Sequence, residues 1–375
     1  MSSLHHIRPS HGSHWFSPSE PIEYTDEAFS FLTFKRRLMN TEPEPATKQV
    51  SSWRASLPDG ILSKPQNGKQ MLVYFLTRVF AFYLLLLILI MFGQRWLIYQ
   101  PTRVKSLSVD QSNAPFGVVH EISTTTEDGL DLKGWHVLAG QVACTDEAAC
   151  DAELDKGRPV VILLHGNGGN RLHRIEDCRL LASLNLHVFA FDYRGYAENP
   201  GSPSQTGLLK DARAIWKYAV RDRKIDPSRI ILFGESLGGG VATLLASELC
   251  QQNTPPAGLI LRSTFSSMVD AASSHFPWIP VSLLLWDRYP NQRLIANITC
   301  PILMIHGSAD RIVPFELGEK LFAAAPAHSA SGIPKRFVKI EQGTHNGLLY
   351  EARGKMVDAY HEFTSELFPT DPSTL

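Results

Sequence analysis

The 375-residue chain has only five cysteines, at positions 144, 150, 178, 250 and 300, and no C-x-x-C pair. That excludes a disulfide-dense scaffold and supplies no zinc or dithiol redox motif. Cys144 and Cys150 lie close together in a polar stretch and would pair only in an oxidising compartment. The other three sit in apolar surroundings and read as core thiols. Neither sign of charge is in excess, with 36 Lys+Arg against 37 Asp+Glu. A nucleic-acid partner is therefore not expected, since it needs a basic face or stripe. There is no internal repeat, and the start of the chain lacks the apolar core of a cleavable signal peptide. The absence of a G-K-[ST] ending on any glycine-rich turn removes the P-loop reading.

What is present begins with a long polar leader. Residues 1–70 are rich in Ser, Pro, His, Glu and Lys and are expected to be mostly disordered, with a short helix near Glu27–Leu38. His5, His6, His11 and His14 read as a solvated tail, not a metal cluster. Residues 71–92, MLVYFLTRVFAFYLLLLILIMF, are of a different kind. Fifteen Leu, Ile, Val and Phe residues there, at about −0.3 to −0.6 kcal/mol each, outweigh one Arg at about +3. Arg78 is off-centre enough to snorkel. The run is apolar all round, unlike a helix packed on one side of a soluble domain. It predicts a single transmembrane anchor over 71–94, in contact with the bilayer. Lys64 and Lys69 flank one end, and Arg95, Arg103 and Lys105 the other, so charge does not choose an orientation.

Residues 95–368 are expected to form an α/β domain, followed by a short tail, 369–375. Val118–Ser123 and Leu130–Leu138 alternate around Glu127-Asp128-Gly129, a hairpin signal. Residues 139–158 are a polar insertion. From Pro159 onward, short apolar runs alternate with helical patterns. The strands are predicted at Val160–Leu164, His187–Phe191, Ile230–Phe233, Gly258–Leu261, Ile302–Ile305 and Arg336–Ile340, with helices near 171–184, 204–222, 237–252, 315–325 and 347–367. Continuous apolar strands bounded by helices imply a mostly parallel sheet covered on both faces. Chemistry in such sheets collects at the carboxyl ends of the strands.

Every chemical motif falls at one of those ends. The run Ile230–Phe233 stops at Gly234-Glu235-Ser236-Leu237-Gly238, and a small, aliphatic helix follows. That is the layout of a nucleophile elbow. G-x-S-x-G alone arises by chance in about one chain in eight of this length, so its weight comes from its context. His165-Gly166-Asn167-Gly168-Gly169-Asn170 follows the first parallel strand, and its glycines let the backbone approach a ligand closely. The N–H groups of Asn167 and Leu237 together would form an oxyanion hole. His165 reads as structural, and Asp192 and Arg194 of FDYRG as braces of their own turn. Asp310 lies just past a strand, in HGSADRIVP, and His345 on a glycine-bounded loop after the last strand, in GTHNG. Ser236, Asp310 and His345 thus follow the chain order of a hydrolase triad.

From about residue 159 to 365 the chain resembles the α/β-hydrolase superfamily, on HGNGGN, FDYRGY, GESLGGG, HGSADRIVP and GTHNG. With the apolar anchor and the LIYQPTR after it, it is most similar to membrane-anchored serine hydrolases, a group that includes monoacylglycerol lipases, lysophospholipases and protein depalmitoylases. The resemblance implies Ser236 as nucleophile, His345 as base, Asp310 as orienting acid, and Asn167 with Leu237 as oxyanion donors. Two departures stand out. FDYRGY runs on as AENPG, where a Gly and a Ser are more usual, and Arg262 occupies a place where an acid is common.

Residues 263–299 have the position and composition of a small cap. Phe265, Met268, Phe276 and Trp278 are candidates for an acyl pocket, or else simply cover the sheet. Asp287 is a rival acid with a poorer strand context. Asn297-Ile298-Thr299 is a glycosylation sequon if the domain is extracytoplasmic. Arg171, His173 and Arg174 either meet an anionic head group or form the solvated side of a first helix turn. The expected reaction is ester or thioester hydrolysis of a lipid-like acyl substrate through an acyl-enzyme, with no metal or organic cofactor needed. A peptidase or small-molecule esterase on the same triad is the alternative within enzymes. A catalytically silent membrane-tethered scaffold is the alternative outside them.

Overall fold

The hydrophobic periodicity builds an eight-stranded sheet in the computed structural model, which describes residues 67–115 and 117–369. The expectations for residues 1–66, including the helix near Glu27–Leu38 and the four early histidines, lie outside the described residues, as does most of the tail. Contacts set off a unit running from Phe75 onward, and the sheet lies within it.

The first element is α1, Gly68–Ile98. At 31 residues it is longer than the 71–94 expected, and it is long and apolar enough to cross a membrane. The extra turns follow because Gly93–Ile98 contains no helix breaker but Gly93. Phe80, Phe82, Leu85, Leu89 and Phe92 on it are each more than half exposed.

The hairpin forms as read: β1, Val119–Thr125, pairs antiparallel with β2, Asp131–Val137. The polar insertion 139–158 holds an element that its composition hid, α2, Glu147–Leu154, capped by Asp146, whose side chain accepts from Ala149 N–H. Beneath it Cys144 and Cys150 are free thiols, buried with Leu138.

Then come β3 (Val160–Leu164), α3 (Ile175–Ser183), β4 (His187–Phe191), α4 (Gln205–Lys217), β5 (Ile230–Glu235), α5 (Leu237–Gln251) and β6 (Gly258–Arg262). Three short helices fill the expected cap: α6 (Met268–His275), α7 (Val281–Leu284) and α8 (Asn291–Ile295). The chain closes with β7 (Ile302–Gly307), α9 (Phe315–Ala324), β8 (Arg336–Ile340), α10 (Leu348–Glu351) and α11 (Arg353–Leu367). The strand order is β1-β2-β4-β3-β5-β6-β7-β8, antiparallel at the hairpin edge and parallel from β4 to β8.

The central strands alternate between two cores. Val160, Ile162 and Leu164 join one hydrophobic cluster, while Val161 and Leu163 join the other on the opposite face. Both faces are therefore covered, which is why these strands read as unbroken apolar runs. The outcome for function is geometric: the loops after β3, β5, β7 and β8 leave the same edge of the sheet.

Candidate active site

Ser236 joins β5 to α5 with φ 51° and ψ −113°. A non-glycine residue in this region costs on the order of 1–3 kcal/mol and must be held there. Its N–H donates to Arg262 O (2.8 Å), while its carbonyl accepts from Thr264 Oγ1 (2.7 Å) and Gly239 N–H (3.0 Å). Two glycines make the turn possible. A Cβ on Gly234 would lie 2.5 Å from Gly239 Cα, and one on Gly238 would overlap the Leu164 and His165 carbonyls. The elbow therefore packs backbone to backbone against the end of β3.

The other two members meet it. Ser236 Oγ lies 3.1 Å from His345 Nε2, and His345 Nδ1 lies 2.6 Å from Asp310 Oδ2. With Nδ1–H donating to Asp310, Nε2 is left to accept from the seryl hydroxyl. Asp310 Oδ1 accepts from Ile312 N–H (2.9 Å) and Val313 N–H (2.8 Å), which fixes the carboxylate plane. Burial alone would raise the Asp310 pKa. Hydrogen bonding from His306 and His345, and the field of His345, outweigh it and hold the carboxyl well below its usual range. His345 is held through Thr344, whose N–H and Oγ1 both donate to Glu351 (2.8 and 2.7 Å). The acid and base loops also touch directly, because a Cβ on Gly307 would run into the Gly343 backbone.

On the glycine loop, the Asn167 side chain is fully engaged. Its Oδ1 accepts from Gln100 N–H and Tyr196 OH, each at 2.9 Å, and its Nδ2 donates to Ile98 O at 2.6 Å. Gly169 N–H donates to Thr102 Oγ1 (3.0 Å). Leu237 opens α5, so its N–H has no acceptor within the helix. His165 is buried against Tyr193 and Tyr196. Burial, with Arg174 nearby, pushes its pKa down to about 3, so it stays neutral.

Below this edge lies a buried ionic network that the sequence reading missed. Arg262 forms a bidentate pair with Asp177 (2.5 and 2.9 Å) and lies 3.4 Å from Glu235, which pairs with Arg174 at 2.6 Å. Arg171 is buried too, bridging Asp192 (2.5 Å) and Glu198 (2.6 Å) over the Trp135 ring. Arg171 and Arg174 are neither the solvated face of a turn nor available to a head group, because both are spent on carboxylates, the buried Asp192 and the half-buried Glu198 and Glu235, whereas His173 between them is exposed. The two departures from the family pattern are explained by the same contacts. Glu198 of AENPG is the partner of Arg171, and Arg262 is the partner of Asp177.

The four pocket candidates separate. Phe265 is buried in the main core, with its ring 6.3 Å from that of Tyr289. Met268 is half-buried against the same core. Phe276 and Trp278 form their own edge-on pair at 6.3 Å, and Trp278 is 55% exposed. Asp287 pairs with Arg95 at 3.0 Å, not with His345. Of the residues not singled out from sequence, His306 and Thr264 bear directly on the site. His306 was hidden in an apolar strand, and Thr264 acts only through the fold. Among the described residues no group of His, Cys, Asp and Glu is arranged to hold a metal ion.

Comparisons with known proteins agree with this architecture. The sequence profile of a family described as serine aminopeptidase, S33, matches residues 155–288. An uncharacterized protein of Mycobacterium tuberculosis is 37% identical over 276 residues, covering 73% of this chain and 88% of its own. The lysophosphatidylserine lipase ABHD12 of Danio rerio is 34% identical over 239 residues, 58% of this chain and 62% of that protein. Its match thus leaves more than a third of the lipase unaligned. Among solved structures, an alpha-beta hydrolase of Vibrio vulnificus superposes with a TM-score of 0.53 at 23% identity, over 70% of this chain and 88% of its own. The Pyrococcus furiosus esterase Pf2001 gives 0.51 at 19%, over 72% and 98%. The chain belongs to the α/β-hydrolase superfamily and is an enzyme of its esterase/lipase type.

Proposed function

We propose that the protein is a membrane-anchored serine hydrolase that cleaves ester or thioester bonds of lipid-like acyl substrates. The observation that carries the reading is the unbroken line of contacts Asp310–His345–Ser236 at the carboxyl end of the sheet. Ser236 Oγ attacks the substrate carbonyl while His345 Nε2 takes its proton, and Asp310 stabilises the imidazolium that results. The oxyanion rests on the N–H groups of Asn167 and Leu237, where each donor contributes about 10²–10³ in turnover. His345 then protonates the leaving alcohol or thiol. Water, deprotonated by the same imidazole, releases the acid and restores Ser236.

The lipid-like substrate is supported by the lysophosphatidylserine lipases among the relatives and by the apolar α1, which would keep the enzyme where such substrates dissolve. One rival keeps the same triad: the matching family is described by an aminopeptidase, so amide hydrolysis is the second reading.

Labelling with a fluorophosphonate probe tests the chemistry, comparing wild type, Ser236→Ala and Asp310→Asn in membrane and soluble fractions. Wild type should label in membranes, Ser236→Ala not at all, and Asp310→Asn far more slowly, with turnover down by about 10⁴. Labelling that survives Ser236→Ala would mean another nucleophile. Purified enzyme is then given a lysophospholipid, a monoacylglycerol, an acyl thioester and an aminoacyl amide. Turnover of the amide alone would replace the lipase reading with the peptidase one.

A further inference from the structure

The polar groups of α1 are spent on the cap in an orderly way. Tyr83 OH donates to Trp278 O (2.8 Å). Gln94 donates through Nε2 to Leu284 O (3.1 Å) and accepts at Oε1 from Trp286 N–H (2.7 Å). Arg95 pairs with Asp287, and Tyr99 OH meets Tyr289 OH at 2.9 Å. The Phe92 and Trp286 rings pack edge to face. The cap segment 278–289 therefore runs alongside the helix from Tyr83 to Tyr99, about 24 Å at 1.5 Å per residue. Its outward side exposes Trp278 (55%), Leu283 (79%) and Trp286 (50%), with Ser282 beside Leu283 and Arg288 beyond Trp286.

This arrangement has a geometric consequence for any helix that spans a bilayer. Tyr83 lies about 14 Å inboard of Phe92, the last residue of the apolar run, which is nearly half of the roughly 30 Å hydrocarbon thickness. If the cap stayed in water, Tyr83–Phe92 would have to leave the membrane with it. The remaining segment, Gly68–Phe82, would be about 22 Å long, short of the hydrocarbon thickness. Backbone groups carried into hydrocarbon need partners from protein. Tyr83 and Gln94 supply them to the cap at Trp278, Leu284 and Trp286.

We propose that the cap segment 278–286 is itself inserted into the bilayer beside α1, with Trp278, Leu283 and Trp286 facing lipid. The proposal rests on the membrane-anchor reading and extends it. The occupant of the exposed patch is acyl chain, because the patch continues the apolar surface of α1 and shares its depth. The cap also reaches the proposed acid loop through His275 Nε2, which donates to Ile312 O (2.8 Å). An acyl substrate would then enter laterally from the leaflet, without crossing water.

The test uses full-length protein in phosphatidylcholine nanodiscs, with an environment-sensitive fluorophore on single introduced cysteines. The five native cysteines are buried. Leu283→Cys reports the cap, Leu85→Cys the helix, and Gln252→Cys the distal end of α5. Acyl-chain spin-labelled lipid should quench the probe at 283 to at least half the extent seen at 85, with a comparable blue shift and no effect at 252. Water-like, unquenched emission at 283 beside quenching at 85 would overturn the inserted cap and leave the anchor standing. Blue-shifted but unquenched emission at 283 would put protein on the patch and also overturn the proposal. Absence of quenching at 85 would instead remove the anchor on which the proposal rests.

Discussion

The side chain of Asn167 holds the main chain at Ile98, accepting and donating on either side of the point where α1 ends. The loop proposed to stabilise the oxyanion is thereby braced by the last turn of the apolar helix, through bonds of 2.6 and 2.9 Å. The brace uses the amide side chain and leaves the backbone N–H for the site.

Replacing Asn167 with Ala strands the part-buried Ile98 carbonyl and the Tyr196 hydroxyl, each at about 1–3 kcal/mol, while the exposed Gln100 N–H turns to water. Turnover should fall about 10- to 100-fold, with KM within a few-fold of wild type, because the backbone donor stays but is no longer fixed. Steady-state kinetics on a short-chain ester, with thermal melting alongside, checks this. Unchanged turnover in a destabilised protein would make the brace purely structural.

The buried Arg262–Asp177 pair yields a prediction about folding alone. Arg262→Met leaves Asp177 without its bidentate partner and should cost about 3–5 kcal/mol, read as a lower urea midpoint. The double variant Arg262→Met/Asp177→Leu should recover part of that loss, since Glu235 keeps Arg174. A double variant as unstable as the sum of its singles would mean that packing, not charge, sets the cost.

Three buried histidines predict acid sensitivity. Burial lowers the pKa of His165 to about 3, of His187 to about 4, and of His136 well below its ordinary value. An unfolded histidine binds its proton near pH 6.5, so below that the unfolded state holds more protons than the folded one. Stability is complete above about pH 6.5 and is lost on acidification, by roughly 1.4 kcal/mol per pH unit for each histidine. Depressed carboxyls such as Asp310 act in the same direction, but mainly below about pH 4, while Asp192, raised by burial to about 6, opposes the slope by up to one proton between about pH 6 and 4. Unfolding free energies between pH 7 and 4.5 check the slope, and His187→Gln should reduce it by one proton. A flat profile would mean that these rings are protonated in the folded protein.

The strands, the elbow and the local settings of Ser236, Asp310 and His345 were readable because each is written within a dozen residues. Apolar runs and glycine pairs act locally. The contacts that hold the site were not readable, because they join distant positions of no special pattern. Arg262 reaches Asp177 across 85 residues, and Asn167 reaches Ile98 across 69. The helix Glu147–Leu154 escaped notice because it buries little more than Cys150 and Leu154. The end of α1 was read short because hydropathy falls at Gly93, whereas the backbone continues for another turn.

The contact between Gly307 and Gly343 makes the proposed acid and base a single mechanical piece. Their mutual distance is set by two touching main chains and not by the length of protein between them. The turn between α9 and β8 is therefore free to lengthen, shorten or acquire a new module while the Asp310–His345 bond keeps its geometry. In this fold, tolerance of inserted sequence and precision of proton transfer do not compete.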